Sequence, residues 1–265
     1  MSSLTTEASH TDEKLSLKGK TALITGASRG IGEQIAYAYA REGAKLILVA
    51  QREDALKEVA SACKGAPDTE VHALSLSDDG AVDKMAKAVL DKHGRVDVIV
   101  NNAGVLGPFH EDLENLGQGP LEGNPDEWNE QMHINVLAPM RLLRWLGPAM
   151  VENGEGAIVN IASIAGTKGM AANISYSTSK NAMTGWSEAV HDALSPKGIK
   201  VIAINPAAVA TPMTMTRPDM AGKVDPTKEN QAADIAQLAL LPFKVSRWCG
   251  IRELTTTNMV PIMKD

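Results

Sequence analysis

The sequence predicts an α/β fold: a doubly wound parallel sheet with helices on both faces, in a single domain. Three observations carry this. Short apolar runs alternate with helix-length amphipathic stretches along most of the chain. The first run opens into a glycine-bearing turn, TGASRGIG (25–32). The 265 residues, 44% of them hydrophobic, suffice for one large core. With only 3% aromatic residues, aliphatic and alanine side chains must supply most of the packing.

Residues 1–17 read as a flexible polar arm, because their Ser, Thr, Glu and Asp offer little to bury. The folded domain is expected over 18–257, followed by a tail at 258–265. TALIT (21–25) is the first buried strand, and the helix after it places Ile31, Ile35, Ala38 and Tyr39 near helical spacing. KLILVA (45–50) is a second strand and REDALKEVASACK (52–64) a second helix. VHALS (71–75), a helix from Asp79 to Lys92, and VDVIVN (96–101) continue the alternation. The excursion from Val105 to Pro125 is rich in Gly, Pro, Asn and acidic residues and reads as surface.

A long helix is expected over 125–153, kinked or ended early by Pro139 or Pro148. GAIVNIAS (156–163) is a strand, 176–198 a helix closed by proline and glycine, and KVIAINP (200–206) a further strand. The segment around 211–230 is the expected substrate lid. A short helix at 231–241 and a strand at 251–257 complete the chain.

Charge narrows the partners. With 26 basic and 32 acidic residues the net charge is -6, which gives no support to binding of nucleic acid or an anionic membrane surface. Cys63 and Cys249 are far apart and lack metal-ligand spacing, and His110, His133 and His191 are dispersed, so neither a disulfide nor a metal site is expected. There is no apolar signal core and no run of membrane-spanning length, so a cytoplasmic location is expected.

The motif TGASRGIG sits between the first strand and the first helix. There Gly26 and Gly30 allow tight turning and close approach of a nucleotide, and Gly32 allows close helix–sheet contact. The helix N-terminus offers amide donors and a positive dipole end to a pyrophosphate. The spacing lacks the G-K-[ST] ending of an ATP-binding loop. The second strand ends at Ala50, without the carboxylate that would receive two adenine-ribose hydroxyls, whereas Arg29 and Arg52 could surround a 2′-phosphate. NADP(H) is therefore preferred, with NAD(H) as the alternative.

In YSTSK (176–180), Tyr176 and Lys180 stand at i and i+4 and share one helix face. Ser179 is adjacent to Lys180 but points elsewhere. Ser163 ends a strand on the side where parallel sheets bind ligands. The pair alone also fits a solvent-facing helix. Beside a nucleotide cradle it acquires a chemical use, because hydride delivery to a carbonyl leaves an alkoxide that needs a proton. A free tyrosine, with pKa about 10, is a reluctant acid–base group near neutrality. A nearby ammonium favours tyrosinate and brings the group closer to operating pH. Lys180 would also hydrogen-bond the nicotinamide ribose, and Ser163 would hold the substrate oxygen.

Over roughly 18–257 the chain resembles the short-chain dehydrogenase/reductase (SDR) family, whose fold is Rossmann-like. TGASRGIG resembles the family's cofactor motif and NNAG (101–104) its post-strand motif; Asn135, Ser163, Tyr176 and Lys180 follow the order of its catalytic tetrad. The resemblance implies that Tyr176 exchanges a proton with the substrate oxygen, Ser163 orients that oxygen, Lys180 binds ribose and tunes Tyr176, and Asn135 holds a relay water. It also implies cofactor contacts from Gly26, Ser28, Arg29, Gly30, Ile31, Gly32, Gln51, Arg52 and Ser75. Further contacts are implied from Asn102, Ala103, Gly104, Tyr176, Lys180, Pro206, Val209 and Thr211. Departures from the family pattern are Ala207 where many relatives have glycine after the proline, Ser75 where many have Asp, and Gln51 where an arginine is frequent.

The expected substrate pocket is bordered by Ser163, Ile164, Gly166 and Met170, with Met213 and Met215 in the lid; each methionine could equally pack lid to core. A medium-sized, largely apolar ketone, aldehyde or 3-oxo compound is the expected substrate, reduced with NADPH by a homotetramer or homodimer. The alternatives are an NAD-dependent alcohol dehydrogenase working oxidatively and a nucleotide-binding scaffold without turnover.

Overall fold

In the computed structural model, described over residues 14–107, 121, 123–170, 173–216 and 225–259, the central strands of the main sheet are buried and its two edge strands are partly exposed. The strands of this sheet are β1 (Thr21–Thr25), β2 (Lys45–Ala50), β3 (Thr69–Ala73), β4 (Val98–Asn101), β5 (Gly156–Ile161), β6 (Ile199–Asn205) and β9 (Glu253–Thr255). All pair in parallel, in the order β3-β2-β1-β4-β5-β6-β9. A second, two-stranded sheet pairs β7 (Val209–Ala210) with β8 (Asn230–Gln231).

The two-residue period of a strand sends neighbouring side chains into different cores. Ala22, Ile24, Leu46, Leu48, Val98 and Val100 join one cluster, with Ile35 and Tyr39 of α1 (Gly30–Arg41) and Ile235 of α8 (Ala232–Ala239). Leu23, Ile47 and Ile99 join the other, with Val82 and Val89 of α3 (Asp79–His93) and Leu142 and Leu146 of α5 (Ala138–Asn153). Each fully buried Leu or Ile contributes about 1.5–3 kcal/mol, which explains near-continuous apolar runs in place of alternation. Tyr39, wholly buried, donates its hydroxyl to the Ala239 carbonyl at 2.9 Å and meets Phe243 edge-on at 5.9 Å, tying α1 to α8.

Most element bounds fall within two residues of the sequence reading, with informative exceptions. The packed chain begins before residue 18: Leu15 and Leu17 are buried, and Lys14 bridges antiparallel to Ser246. The third strand is Thr69–Ala73, two residues earlier than expected, because its ladder with β2 starts at Leu46↔Thr69. The long helix breaks at neither proline. α4 (Pro125–Met132) passes into a π-helical turn, His133–Leu137, and then into α5, which contains Pro148. The expected lid is described only in part: α7 (Pro212–Met215) follows β7, and residues 217–224 lie outside the described residues. Most of the 105–125 excursion, and His110 with it, also lies outside them. Among the described residues no helix is long and apolar enough to cross a membrane.

The order of the strands reverses between β1 and β4, the switch point at which open α/β sheets bind ligands beyond their carboxyl ends.

Candidate active site

A cleft of about 400 Å³ opens at this switch point, within the range of small-molecule sites. Its near end is the glycine turn. Gly26 and Gly30 have φ of 64° and 62°, the left-handed region that disfavours side chains. At Gly32, a Cβ would stand 2.3 Å from the Gly26 carbonyl oxygen and 2.5 Å from Asn102 Nδ2. That space is closed because Asn102 Nδ2 donates to the carbonyls of Thr25 at 2.9 Å and Gly26 at 3.2 Å. Thr25 Oγ1 in turn accepts the backbone N–H groups of Asn102 and Ala103, at 3.0 and 3.1 Å. The two motifs thus form one hydrogen-bonded unit at the start of α1, whose N-cap residue Arg29 makes no side-chain cap. Open first-turn amides beside backbone with no Cβ fit a dinucleotide pyrophosphate.

At the β2 end, Ala50, Gln51, Arg29 and Arg52 line the cleft; neither arginine forms a salt bridge among the described residues. Ser75 does not line it. Its hydroxyl accepts from Gln51 Nε2 at 3.2 Å and pairs with Ser77 Oγ at 2.8 Å, while Leu74 and Leu76 on either side face the cleft.

The far end carries the phenol and the ammonium. α6 (Ile174–Leu194) starts where the Asn173 side chain accepts the Tyr176 N–H, so Tyr176 and Lys180 occupy its first turns on one face. Lys180 is 4% exposed; its Nζ donates to the Ile161 carbonyl at 2.9 Å and lies 5.6 Å from the centre of the Tyr176 ring. Burial pushes its pKa down to about 8. Ser163, in extended conformation, lines the cleft and accepts the Ala165 N–H at 3.1 Å.

Asn135 is 1% exposed and sits behind the cleft wall in the π-helical turn. Its Oδ1 accepts the Val105 N–H at 2.9 Å, and its Nδ2 donates to the Val105 carbonyl at 3.0 Å and to Ser179 Oγ at 2.9 Å. The sequence reading had Ser179 pointing away from the site; instead it is fully buried against Asn135. Gly104 leaves little room, for a Cβ there would lie 3.3 Å from Asn135 Oδ1 and 3.4 Å from Lys180 Nζ.

Of the remaining expected residues, Gly26, Ser28, Gly30, Ile31, Asn102, Ala103 and Gly104 line the cleft. So do Pro206, Val209, Thr211 and Met213. Ile164, Gly166 and Met215 do not, and Met170 lies in a separate surface groove with Ile174 and Asn181. The Met170 N–H is held by Ser177 Oγ at 3.0 Å. Ala207 adopts no positive φ, since no non-glycine residue described here does; its N–H is held by Thr256 Oγ1 at 3.2 Å. Val105, Ile134, Ala162 and Thr214 complete the apolar end and were not anticipated. Position just beyond a motif or a strand end was the available signal for Val105 and Ala162, and adjacency to Asn135 for Ile134.

The family described as short chain dehydrogenase matches residues 20–222. The chain is 32% identical over 205 residues to the 3-oxoacyl-[acyl-carrier-protein] reductase FabG of Salmonella typhimurium, covering 77% of this chain and 80% of that one. A metagenomic short-chain oxidoreductase solved in complex with NADP superposes with a TM-score of 0.74 at 32% identity, covering 92% of this chain and 99% of the other. An alcohol dehydrogenase from the archaeon Thermococcus sibiricus, complexed with 5-hydroxy-NADP, gives 0.78 at 28% identity, covering 91% and 97%.

Proposed function

The chain belongs to the short-chain dehydrogenase family, oxidoreductases of CH–OH and C=O groups, and on that premise we propose that it reduces a medium-sized, largely apolar ketone, aldehyde or 3-oxo compound with NADPH. The observation that carries this reading is a single cleft with Tyr176 and a buried Lys180 at one end and two arginines without a strand-end carboxylate at the other.

Arg29 and Arg52 would bind a 2′-phosphate, the Gly26–Gly32 turn the pyrophosphate, and Lys180 the nicotinamide ribose. The bound nicotinamide supplies the hydride. Tyr176 donates its hydroxyl proton to the substrate oxygen, and Ser163 orients that oxygen and stabilises its developing charge. The Lys180 ammonium favours the tyrosinate and so makes Tyr176 a better proton donor near neutrality.

The Asn135 side chain has both amide protons committed, so its part in a proton relay falls to its backbone carbonyl. Pro139, four residues on, has no N–H to give that carbonyl, which supports its acting as a water acceptor. Val105, Ile134 and Met213 give the substrate end its apolar character, and the reductase name of the Salmonella relative agrees with a 3-oxo substrate. The segment 211–230 would act as the lid. Leu137, which ends the π-helical turn, and Met140 in the first turn of α5, 40% and 42% exposed, would join copies of the chain into a dimer or tetramer.

Fluorescence titration should rank NADPH above NADH, and a screen of ketones and aldehydes followed at the nicotinamide absorbance should reveal turnover that Tyr176→Phe abolishes without loss of nucleotide binding. Tighter NADH binding, with activity only on alcohols, would transfer the assignment to an oxidative NAD-dependent dehydrogenase. Nucleotide binding with no turnover at all would leave a scaffold.

A further inference from the structure

The Ser179 hydroxyl donates to the Tyr176 carbonyl at 2.8 Å and accepts from Asn135 Nδ2 at 2.9 Å. A serine has one hydroxyl proton; once that is given to the carbonyl, the oxygen can only accept from the amide. The amide is equally committed, with its other proton and its oxygen on the two backbone groups of Val105. A continuous path therefore runs from the loop after β4, through Asn135 in the π-helical turn, to the turn of α6 that carries Tyr176 and Lys180. Helix formation does not call for this hydroxyl. Alanine is the better helix former, and back-bonding to the preceding turn gains a helix nothing. What serine adds over alanine here is the bond to Asn135, made in a fully buried place where an orphaned amide proton is costly.

We propose that Ser179 is a positioning residue for proton transfer, acting through Asn135 to hold the Tyr176–Lys180 face of α6 against the Gly104–Val105 loop. Its effect on turnover rests on the function proposed above; its effect on the Tyr176 phenol does not. The chain has 3 tyrosines. Burial raises Tyr39 far above the usual phenol range, and burial followed by the Glu33 hydrogen bond pushes Tyr37 up to about 12. Phenolate absorbance that develops at lower pH, and is missing in Tyr176→Phe, reports Tyr176 alone.

The test compares native protein, Ser179→Ala, Asn135→Ala and the double variant by ultraviolet titration and by steady-state kinetics. Ser179→Ala is expected to raise the Tyr176 midpoint by about 0.5 pH, as Lys180 is held less closely to the phenol. It should also lower kcat about tenfold with KM within about twofold. In the Asn135→Ala background it should change kcat by less than about twofold and the midpoint by less than about 0.3 pH, because the path is already cut. A native midpoint and native kcat in Ser179→Ala would overturn the proposal, and so would a full multiplicative loss in the Asn135→Ala background. If native protein turns over none of the screened compounds, the functional reading falls and the titration alone judges Ser179. Should Ser179→Ala not accumulate as folded protein, Ser179→Cys, similar in shape with a far weaker hydrogen-bonding sulfur, carries the same expectations.

Discussion

The Lys180 ammonium donates to the Ile161 carbonyl at 2.9 Å while only 4% of the residue is exposed, and no salt bridge among the described residues compensates its charge. It is a buried cation whose desolvation is a cost to the fold.

Lys180→Met should therefore stabilise the protein near neutrality while reducing turnover at least about 100-fold. Burial lowers the folded-state pKa to about 8, below the unfolded value of about 10.4. Below pH 8 the lysine is charged in both states and the fold bears the whole desolvation cost, on the order of 3 kcal/mol. Between the two values the unfolded chain binds more protons, so the native protein gains stability as pH rises and the variant does not. Urea denaturation at pH 7 and pH 10 should show the variant's advantage shrinking; an advantage that grows with pH contradicts the sign.

Gly32 and Gly185 both lie in helices but face opposite expectations. A Cβ at Gly32 would come within 2.3 Å of the Gly26 carbonyl oxygen, whereas one at Gly185 meets nothing within 4 Å. Gly32→Ala should cost about 3 kcal/mol through backbone overlap and weaken nucleotide binding at least about tenfold. Gly185→Ala should add about 0.5–1 kcal/mol and leave binding unchanged. Thermal melts with and without NADPH distinguish the two.

The contrast shows what a sequence can disclose. Central strands buried on both faces must be apolar at nearly every position, so β1, β2 and β5 were legible as runs, and a parallel sheet followed from their alternation with helices. Tyr176 and Lys180 were legible because i,i+4 spacing defines a face without tertiary information. Ser179 was not, since its bond to Asn135 depends on the one-residue widening of a helical turn 44 positions away. Pro139 signalled an irregularity, but the chain absorbed it as a π-helical turn upstream rather than as a break. Met170 looked like a pocket residue because it follows Ser163 closely. It lies instead in the separate groove with Ile174 and Asn181, its N–H held by Ser177 Oγ. The β7–β8 pair, two residues long on each side, is too short to leave any periodicity.

Ala50 ends β2 on the cleft wall together with Arg29 and Arg52, both exposed. An aspartate there would accept the two adenine-ribose hydroxyls of NADH and repel the 2′-phosphate of NADPH. Ala50→Asp should raise the Kd for NADPH at least about tenfold, equivalent to about 1.4 kcal/mol, and lower that for NADH several-fold. Because the substitution is at a strand end with a half-buried side chain, the melting temperature should fall by only a few degrees. Parallel titrations with the two reduced cofactors check the exchange. If the variant weakens both nucleotides equally, the 2′-phosphate does not sit between these two arginines, and the preference for NADPH loses its structural basis.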